Sequence, residues 1–175
     1  MTGGNAQSAV YGAYATVDQS TLLESKALAL SEIDISNSTI GQNIIGAIAM
    51  TPHHAKAQSI MSLKDSTIQG DIVGANVSIH NNPIGTDPVG TVIATNNQIS
   101  LDGEITLGSN SSIWGVKISG AAAYKNAFTG NTLNIRSNPL SVTELGNFEN
   151  YNFYLTKNND HLINSDTAII TVKEQ

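Results

Sequence analysis

The sequence predicts an all-β chain built as a β-solenoid, in which short parallel strands stack in successive coils. Two observations predict this fold. A four-residue phrase recurs along the chain: an aliphatic residue, a variable residue, Gly, and a small or aliphatic residue. Between its copies, apolar residues alternate with polar ones, whereas helical spacing is sustained nowhere, so the elements are expected to be strands.

The repeated phrase occurs four times. Its first residue stands at positions 10, 44, 72 and 113, so the copies are 34, 28 and 41 residues apart. Self-similarity at such a period is typical of solenoids. We expect about five to seven coils, a coil being one full turn of the stacked chain. The copies are Val10-Tyr11-Gly12-Ala13, Ile44-Ile45-Gly46-Ala47, Ile72-Val73-Gly74-Ala75 and Ile113-Trp114-Gly115-Val116.

The sequence around the phrase also repeats. Residues 34–40 align without a gap with residues 62–68, whereas residues 98–105 align with both only after an insertion at residues 80–90. Variable insertions at one point of a repeat are typical of loops on one face of a solenoid. We therefore predict long loops at residues 50–58 and 80–90.

Each glycine of the phrase is predicted to be a corner between two short strands. The alternation of apolar residues slips by one at the glycine, so the residues on both sides can face inward only if the chain bends there. Glycine can adopt left-handed or otherwise strained dihedral angles without a Cβ clash. The predicted structural corners are Gly12, Gly46, Gly74 and Gly115.

The chain is predicted to form one domain with two continuous parts, solenoid repeats at residues 1–129 and C-terminal coils with an aromatic-rich cap at residues 130–175. The phrase is absent from Gly130 onwards, and four of the nine aromatic residues lie between positions 148 and 154. Aromatic side chains bury the most surface per residue, so a core segment is preferred here over an aromatic ligand site. The predicted cap aromatics are Phe148, Tyr151 and Phe153.

Composition favours a stacked surface over nucleic-acid binding. Charged residues make up 13% of the chain, and 19 Asn with many Ser and Thr supply the polar surface. Uncharged polar residues can stack on copies of themselves in adjacent strands, where like charges would repel. The net charge is −6 and the eight Lys and Arg are not clustered, so no nucleic-acid partner is expected. The absence of Cys excludes a disulfide scaffold and a Cys-ligated zinc site.

No segment has the pattern of a membrane-spanning helix or a signal peptide. Two interpretations follow: the protein is cytosolic, or the chain is a piece of a longer exported protein. We favour the piece, because natural solenoids need capping units for solubility and no N-terminal cap is evident.

Two C-terminal motifs, together with the glycine phrases, resemble the C-terminal part of bacterial autotransporter passenger domains. The motifs are Gly-Asn-Thr-Leu-Asn-Ile at 130–135 and Asn-Phe-Glu-Asn-Tyr-Asn-Phe-Tyr-Leu at 147–155. The resemblance covers nearly the whole chain. It implies a right-handed parallel β-helix that is exported across both bacterial membranes, through an outer-membrane β-barrel of the same parent chain. It also implies a location at the cell surface or in the secreted fraction, with a host surface protein or glycan as partner.

No catalytic, cofactor-binding or metal-binding site is predicted. Adjacent side chains on an extended segment point to opposite faces, so His53 and His54 are poorly placed to bind one metal ion. His80 and His161 lie among Asn and Asp and are expected to be solvated. Paired carboxylates catalyse glycoside cleavage, and four acidic residues could approach one another across coils, but the sequence does not fix their separation. These residues are Asp65, Asp71, Asp102 and Glu104.

One candidate contact surface remains, which we name the apolar column. If the first residue of each phrase points inward, the second points outward in successive coils, and a contiguous exposed apolar stripe would mark a partner site. In the alternative, the glycine bend turns these side chains inward or an inserted loop covers them. The apolar column consists of Tyr11, Ile45, Val73 and Trp114.

The sequence leaves three functional classes. The favoured one is a non-catalytic structural or adhesive segment of a surface-displayed or secreted autotransporter passenger, a β-helical stalk that holds another region away from the cell. The second is a carbohydrate-active β-helix, such as a polysaccharide lyase, a hydrolase or a tailspike-like protein. The third is a glycan-binding or protein-binding module that uses the apolar column or the long loops.

Overall fold

The computed structural model describes residues 2–17, 25–79, 91–119, 125–153, 161–165 and 169–172. All regular elements in these residues are β-strands, which confirms the all-β prediction. In the longest strands, buried side chains, most of them apolar, alternate with more exposed ones, as a strand with one face toward a core requires. In chain order the strands are β1 (Asn5–Ala6), β2 (Val10–Thr16), β3 (Lys26–Ser36), β4 (Thr39–Ile40), β5 (Ile44–Thr51), β6 (His54–Ile68), β7 (Ile72–Ile79), β8 (Thr91–Ile93), β9 (Gln98–Leu107), β10 (Ile113–Ser119), β11 (Lys125–Ala127), β12 (Thr132–Ser137), β13 (Leu140–Val142), β14 (Leu145–Gly146), β15 (Asn150–Phe153), β16 (His161–Ser165) and β17 (Ile169–Val172).

Parallel pairing joins most strands into two large sheets. One has five strands in the order β14-β10-β7-β5-β2. The other has nine: β1-β4-β6-β9-β12-β15, with β3 and β8 also paired to β6, and β11 paired to β8. The chain passes from one sheet to the other and returns one strand further along, which is the stacking expected of a solenoid. A third, small sheet pairs β13 with β16 in parallel and β16 with β17 in antiparallel orientation.

The register of the five-stranded sheet confirms the internal repeat. The first residues of the four phrases lie side by side on adjacent strands, as the sequence alignment predicts. A fifth coil continues this series, because Leu145 pairs with Ile113. The sequence pattern missed this copy, since Gly146 follows Leu145 directly and so stands one position earlier than in the other phrases.

The nine-stranded sheet confirms the second alignment. Residues 34–36 and 39–40 pair with residues 62–64 and 67–68, at the predicted offset of 28. In the next coil the register shifts between Lys64 and Ser66, where β9 contains one extra residue. Strands β12 and β15 extend the same sheet, so the coils continue beyond Gly130.

The core between the sheets has two parts. Large aliphatic side chains, mostly Ile and Leu, fill one part, and small side chains, mostly Ala, fill the other. A polar residue stands between the two parts in β3 and β6 and directly before β9 and β12, where Asn97 and Asn131 are fully buried. Asn97 Nδ2 donates a hydrogen bond to Asn131 Oδ1 at 2.9 Å. We name this inward series the inner polar column; its members are Ser31, Ser59, Asn97 and Asn131.

The phrase glycines are not left-handed corners. None of the four has a positive φ, so the left-handed conformation that the corner prediction allowed is not adopted. They are required instead because two backbones and a facing side chain approach closely. A Cβ on Gly46 would overlap the Ser59 side chain and the Gly74 carbonyl oxygen, and a Cβ on Gly74 would lie 2.5 Å from the Gly115 carbonyl oxygen. A Cβ on Gly12 would likewise overlap the Gly46 carbonyl oxygen.

Four of the seven residues with a positive φ among the described residues form left-handed corners at the nine-stranded sheet, near the points where the chain leaves it for the other sheet. Asn and Asp adopt this conformation more readily than other non-glycine residues, because their short polar side chains bond locally. The residues that precede the last three corners pair in register, so the corners themselves stack. The corner residues and their φ angles are Gly3 (63°), Asn37 (49°), Asp65 (45°) and Gly103 (67°).

The described residues do not support a separate aromatic cap. The Phe148 and Tyr151 ring centroids are 5.7 Å apart in an edge-to-face arrangement, and both rings pack against the large aliphatic part of the core. Burial raises the pKa of Tyr151. Tyr151 and Phe153 pair with Leu133 and Ile135, so this segment is one more parallel strand; the Phe153 side chain lies outside the described residues.

Candidate interaction surfaces

The apolar column is a series of adjacent backbone positions but not an exposed stripe. Its four residues lie in register on neighbouring strands of the five-stranded sheet. Tyr11 is 56% exposed, whereas Ile45 and Val73 are only 8% and 2% exposed. The two buried residues form a small apolar cluster with Ile48, and Trp114 packs against it. The prediction of a contiguous exposed stripe is therefore wrong at Ile45 and Val73. Their side chains are covered, as the alternative interpretation of the sequence expects.

Trp114 lies in a polar cleft at the C-terminal end of this sheet. The next position in the column is Gly146, where a Cβ would lie 2.6 Å from the indole ring. The indole ring of Trp114 therefore occupies the space that a side chain at position 146 would fill. Lys117 Nζ lies 5.3 Å from the ring centroid and 2.7 Å from Asp71 Oδ2. Trp114 Nε1 is buried without a hydrogen-bond partner. The cleft has a volume of about 490 Å³ and is also lined by Asn76, Glu144 and Asn147.

A second cleft, of about 290 Å³, lies on the outer face of the nine-stranded sheet between two columns of polar residues. In the first column, amide and hydroxyl groups of successive coils bond to one another. Asn134 Nδ2 donates to Ser100 Oγ at 3.2 Å, and Asn134 Oδ1 accepts from Asn152 Nδ2 at 2.9 Å. The second column alternates in charge and consists of Lys64, Asp102 and Arg136. Sequence reasoning missed this surface, although alternating polar residues at 98–102 and 132–136 were a usable signal.

The prediction of a long loop at residues 50–58 is wrong. Strand β5 ends at Thr51 and β6 begins at His54, so only two residues connect them. The strongly apolar surroundings explain the difference, since Ala55 and Ala57 are buried in the small-residue part of the core. The other predicted loop, at residues 80–90, lies outside the described residues, as do His80 and the side chain of His161.

The two adjacent histidines have different environments. His53 is 1% exposed, and neither ring nitrogen has a hydrogen-bond partner. Burial, and to a lesser extent the neighbouring His54, lowers the pKa of His53. His54 Nδ1 lies 3.0 Å from the Thr91 hydroxyl oxygen on the next coil. A neutral, buried His53 is thus part of the core at the junction of the two sheets.

The four acidic residues singled out from the sequence lie in three places. Asp65 Oδ1 accepts a hydrogen bond from the Glu104 backbone nitrogen at 2.9 Å, at a left-handed corner. Asp102 belongs to the charged column, and Asp71 is bound to Lys117 beside the other sheet. Within the described part of the chain, no group of three or more His, Cys, Asp or Glu side chains can hold a metal ion.

Comparisons with protein families, with curated proteins and with solved structures find no match for this chain. The described residues contain no helix with the length and hydropathy that crossing a membrane requires. The stacking geometry and the surfaces of the two large sheets are therefore what points to a function.

Proposed function

We propose that the chain is a right-handed parallel β-helix that serves as a non-catalytic structural or adhesive segment of a surface-displayed or secreted autotransporter passenger. The observation that carries this proposal is the continuous register of five parallel strands, from the one that begins at Val10 to the one that begins at Leu145. Each coil lengthens such a stack by ~4.8 Å, the spacing between strands. The stack therefore separates whatever is attached to its two ends. The autotransporter-like motifs at 130–135 and 147–155 support the same function.

The interior fits a load-bearing role. Each coil leaves part of its apolar core open until a neighbouring coil covers it, so the stability of the stack is shared along its length. The inner polar column adds a constraint on register. Ser59 N donates to Asn97 Oδ1 at 2.9 Å, and Asn97 N donates to Asn131 Oδ1 at 3.0 Å. A slip of one residue would turn these amides out of the core and bury outward-facing polar residues, which disfavours sliding of coils under load.

Surface display tests the proposal. The chain is placed between an N-terminal epitope and an outer-membrane β-barrel in a bacterial host, and antibody access to the epitope is measured by flow cytometry together with protease resistance. We expect a displayed, protease-resistant segment. The matched variant Gly46→Val, which forces the coils apart, should lose both properties. Equal display and resistance for the two chains would mean that a folded stalk is not what this segment contributes.

Glycan binding is the second candidate function, and the cleft on the nine-stranded sheet favours it. Hydrogen-bonding side chains recur there at the strand spacing of ~4.8 Å, which is similar to the advance per sugar of an extended polysaccharide. Glycan-array binding should decrease in Asn134→Ala and persist in Asn76→Ala, a control that alters the other cleft. Loss in neither variant would exclude this cleft. Release of reducing ends from a bound polysaccharide would support the carbohydrate-active class instead.

A further inference from the structure

The cleft on the outer face of the nine-stranded sheet is a groove that runs along the stack, across the strands. Short side chains form its floor: Ser62 and Ser100 pair in register on adjacent coils, and Asn134 pairs with Ser100 on the coil after them. The charged column stands two residues further along each strand, and its longer side chains form one wall. Because parallel strands are ~4.8 Å apart, the groove presents one floor group and one charged group per coil.

The floor has donors and acceptors suited to hydroxyl groups. Ser100 Oγ accepts a hydrogen bond from Asn134 Nδ2 at 3.2 Å, so the Ser100 hydroxyl can still donate its own hydrogen to a ligand. The Asn134 amide bridges two coils and retains a second N–H. Ser62 is exposed at the other end of the floor. These bonds hold the floor side chains in place before a ligand arrives, which lowers the entropy cost of binding.

The charged column presents a cation, a carboxylate and a second cation on three successive coils. Lys64 pairs in register with Asp102, and Asp102 pairs with Arg136. Lys64 and Arg136 are exposed, and Asp102 is half-buried between them. The two cations are therefore two strand spacings apart, about 9.6 Å along the groove. This distance is similar to the length of two sugars in an extended polysaccharide.

We propose that this groove binds an extended polysaccharide in which an acidic sugar alternates with an uncharged one. The acidic sugars lie beside Lys64 and Arg136, where charge-assisted hydrogen bonds hold their carboxylate or sulfate groups. The uncharged sugar between them lies beside Asp102, whose carboxylate accepts hydrogen bonds from sugar hydroxyl groups. This inference rests on the glycan-binding function proposed above for the cleft, and it adds the class of glycan.

The order of charges in the column is what selects this class. A polysaccharide with an acidic group on every sugar would place one of them against Asp102, where like charges repel. A neutral polysaccharide would leave both cations without an anionic partner. The Arg136 guanidinium has five N–H donors, so it can bind a ligand while it keeps a contact with the protein. Alternation of acidic and uncharged sugars is therefore the pattern that matches all three positions.

Titration calorimetry with three β-linked hexasaccharides tests the inference on the 175-residue chain. One alternates glucuronate with N-acetylglucosamine, the second contains glucuronate alone, and the third N-acetylglucosamine alone. We expect the alternating hexasaccharide to bind most tightly, and its affinity to fall as salt is added. If the all-glucuronate hexasaccharide binds as tightly, the alternation is wrong. Equal binding of the neutral hexasaccharide refutes any role of charge but keeps glycan binding, whereas binding of none of the three refutes both.

Removal of the cations locates the contact. Lys64→Gln and Arg136→Gln should each weaken binding of the alternating hexasaccharide about two- to fivefold, as expected for exposed ion pairs. The double variant should weaken it about 4- to 25-fold, because sites this far apart act independently. Lys56→Gln is the matched control, since it removes the same charge from an exposed position of the same strand outside the cleft. An equal loss in Lys56→Gln would mean that net charge, and not the groove, controls binding.

Reversal of the central charge provides the sharpest test. Asp102→Lys gives three cations on successive coils, so the all-glucuronate hexasaccharide should become the preferred ligand. Asp102→Asn keeps the size of the side chain and removes the repulsion, and should bind the two acidic hexasaccharides with more similar affinities. Circular dichroism checks that each variant is folded. An order of affinities in folded Asp102→Lys that equals the wild-type order would overturn the proposal.

Discussion

Replacing Gly46 with alanine tests why the repeated phrase contains glycine. Gly46 lies within β5, and a Cβ there would overlap the Ser59 side chain and the Gly74 carbonyl oxygen. Ser59 Oγ donates a hydrogen bond to that same oxygen at 2.7 Å. The serine cannot move away without losing this bond, and the carbonyl cannot move without separating two coils. We therefore expect Gly46→Ala to overpack the junction.

The expected loss of stability combines two opposing terms. Overpacking a well-packed interior costs ~1–3 kcal/mol. Replacing glycine with alanine restricts the unfolded chain and stabilises the fold by ~0.4–1 kcal/mol. The net loss is about 1–2 kcal/mol, which corresponds to a decrease in Tm of about 2–8 °C for a chain of this length.

Urea and thermal denaturation, followed by circular dichroism, measure this change. The double variant Gly46→Ala with Ser59→Gly removes the overlap with the serine but not the overlap with the Gly74 carbonyl. It should recover part of the loss relative to the sum of the single variants, because residues in contact are not additive. A Gly46→Ala chain as stable as the wild type would refute the argument from close approach.

Three further changes test other parts of the core. Because the pKa of His53 is lowered from 6.5, the unfolded chain takes up the proton at a higher pH than the folded chain does. The stability should therefore fall as the pH decreases below about 6.5, by at most ~1.4 kcal/mol per pH unit. In His53→Phe the Tm should no longer show this part of the pH dependence, and a slope equal to that of the wild type would contradict the prediction. Gly146→Ala should displace the indole of Trp114 and shift the fluorescence of this single tryptophan to longer wavelength, whereas an unchanged spectrum would place the ring elsewhere. Asn131→Leu leaves two buried donors of Asn97 without an acceptor and should cost about 2–5 kcal/mol in urea denaturation; wild-type stability would mean that these bonds contribute little.

The coil register could be predicted because parallel stacking places like residues on like residues. The phrase positions and the 28-residue offset are both visible in the sequence as repeated apolar patterns, and both are found in the ladders. Each copy buries its own apolar residues against the next, so selection for burial leaves the same pattern in every coil. The fifth copy escaped this reasoning because its glycine is displaced by one position, at Gly146.

The function of the phrase glycines could not be predicted from the phrase itself. The pattern shows that the alternation of inward-facing residues shifts by one position at the glycine, but the reason is a side chain on the facing strand. Ser31 Oγ donates to the Gly46 carbonyl and Ser59 Oγ to the Gly74 carbonyl, in both cases at a sequence separation of 15. This recurrent serine-to-glycine spacing is the signal that would have replaced the strained-corner interpretation with one of close approach.

The candidate surfaces were harder to predict, because facing outward is not the same as being exposed. Tyr11 and Val73 occupy equivalent positions on either side of Ile45, yet Tyr11 is 56% exposed and Val73 only 2%. The difference depends on neighbours across the sheet, such as Ile48 and Trp114, whose contacts no local pattern encodes.

The inner polar column suggests that the two halves of the stack are held by different bonds. In the first coils, serine hydroxyls bond across the interior to glycine carbonyls and so connect one sheet to the other. In the later coils, Asn97 and Asn131 bond along the column and connect one coil to the next. Gly115 accordingly faces Asn147 and Phe148 rather than a serine. Sheet separation should therefore begin where asparagine replaces serine, and sliding between coils should begin at the serine end.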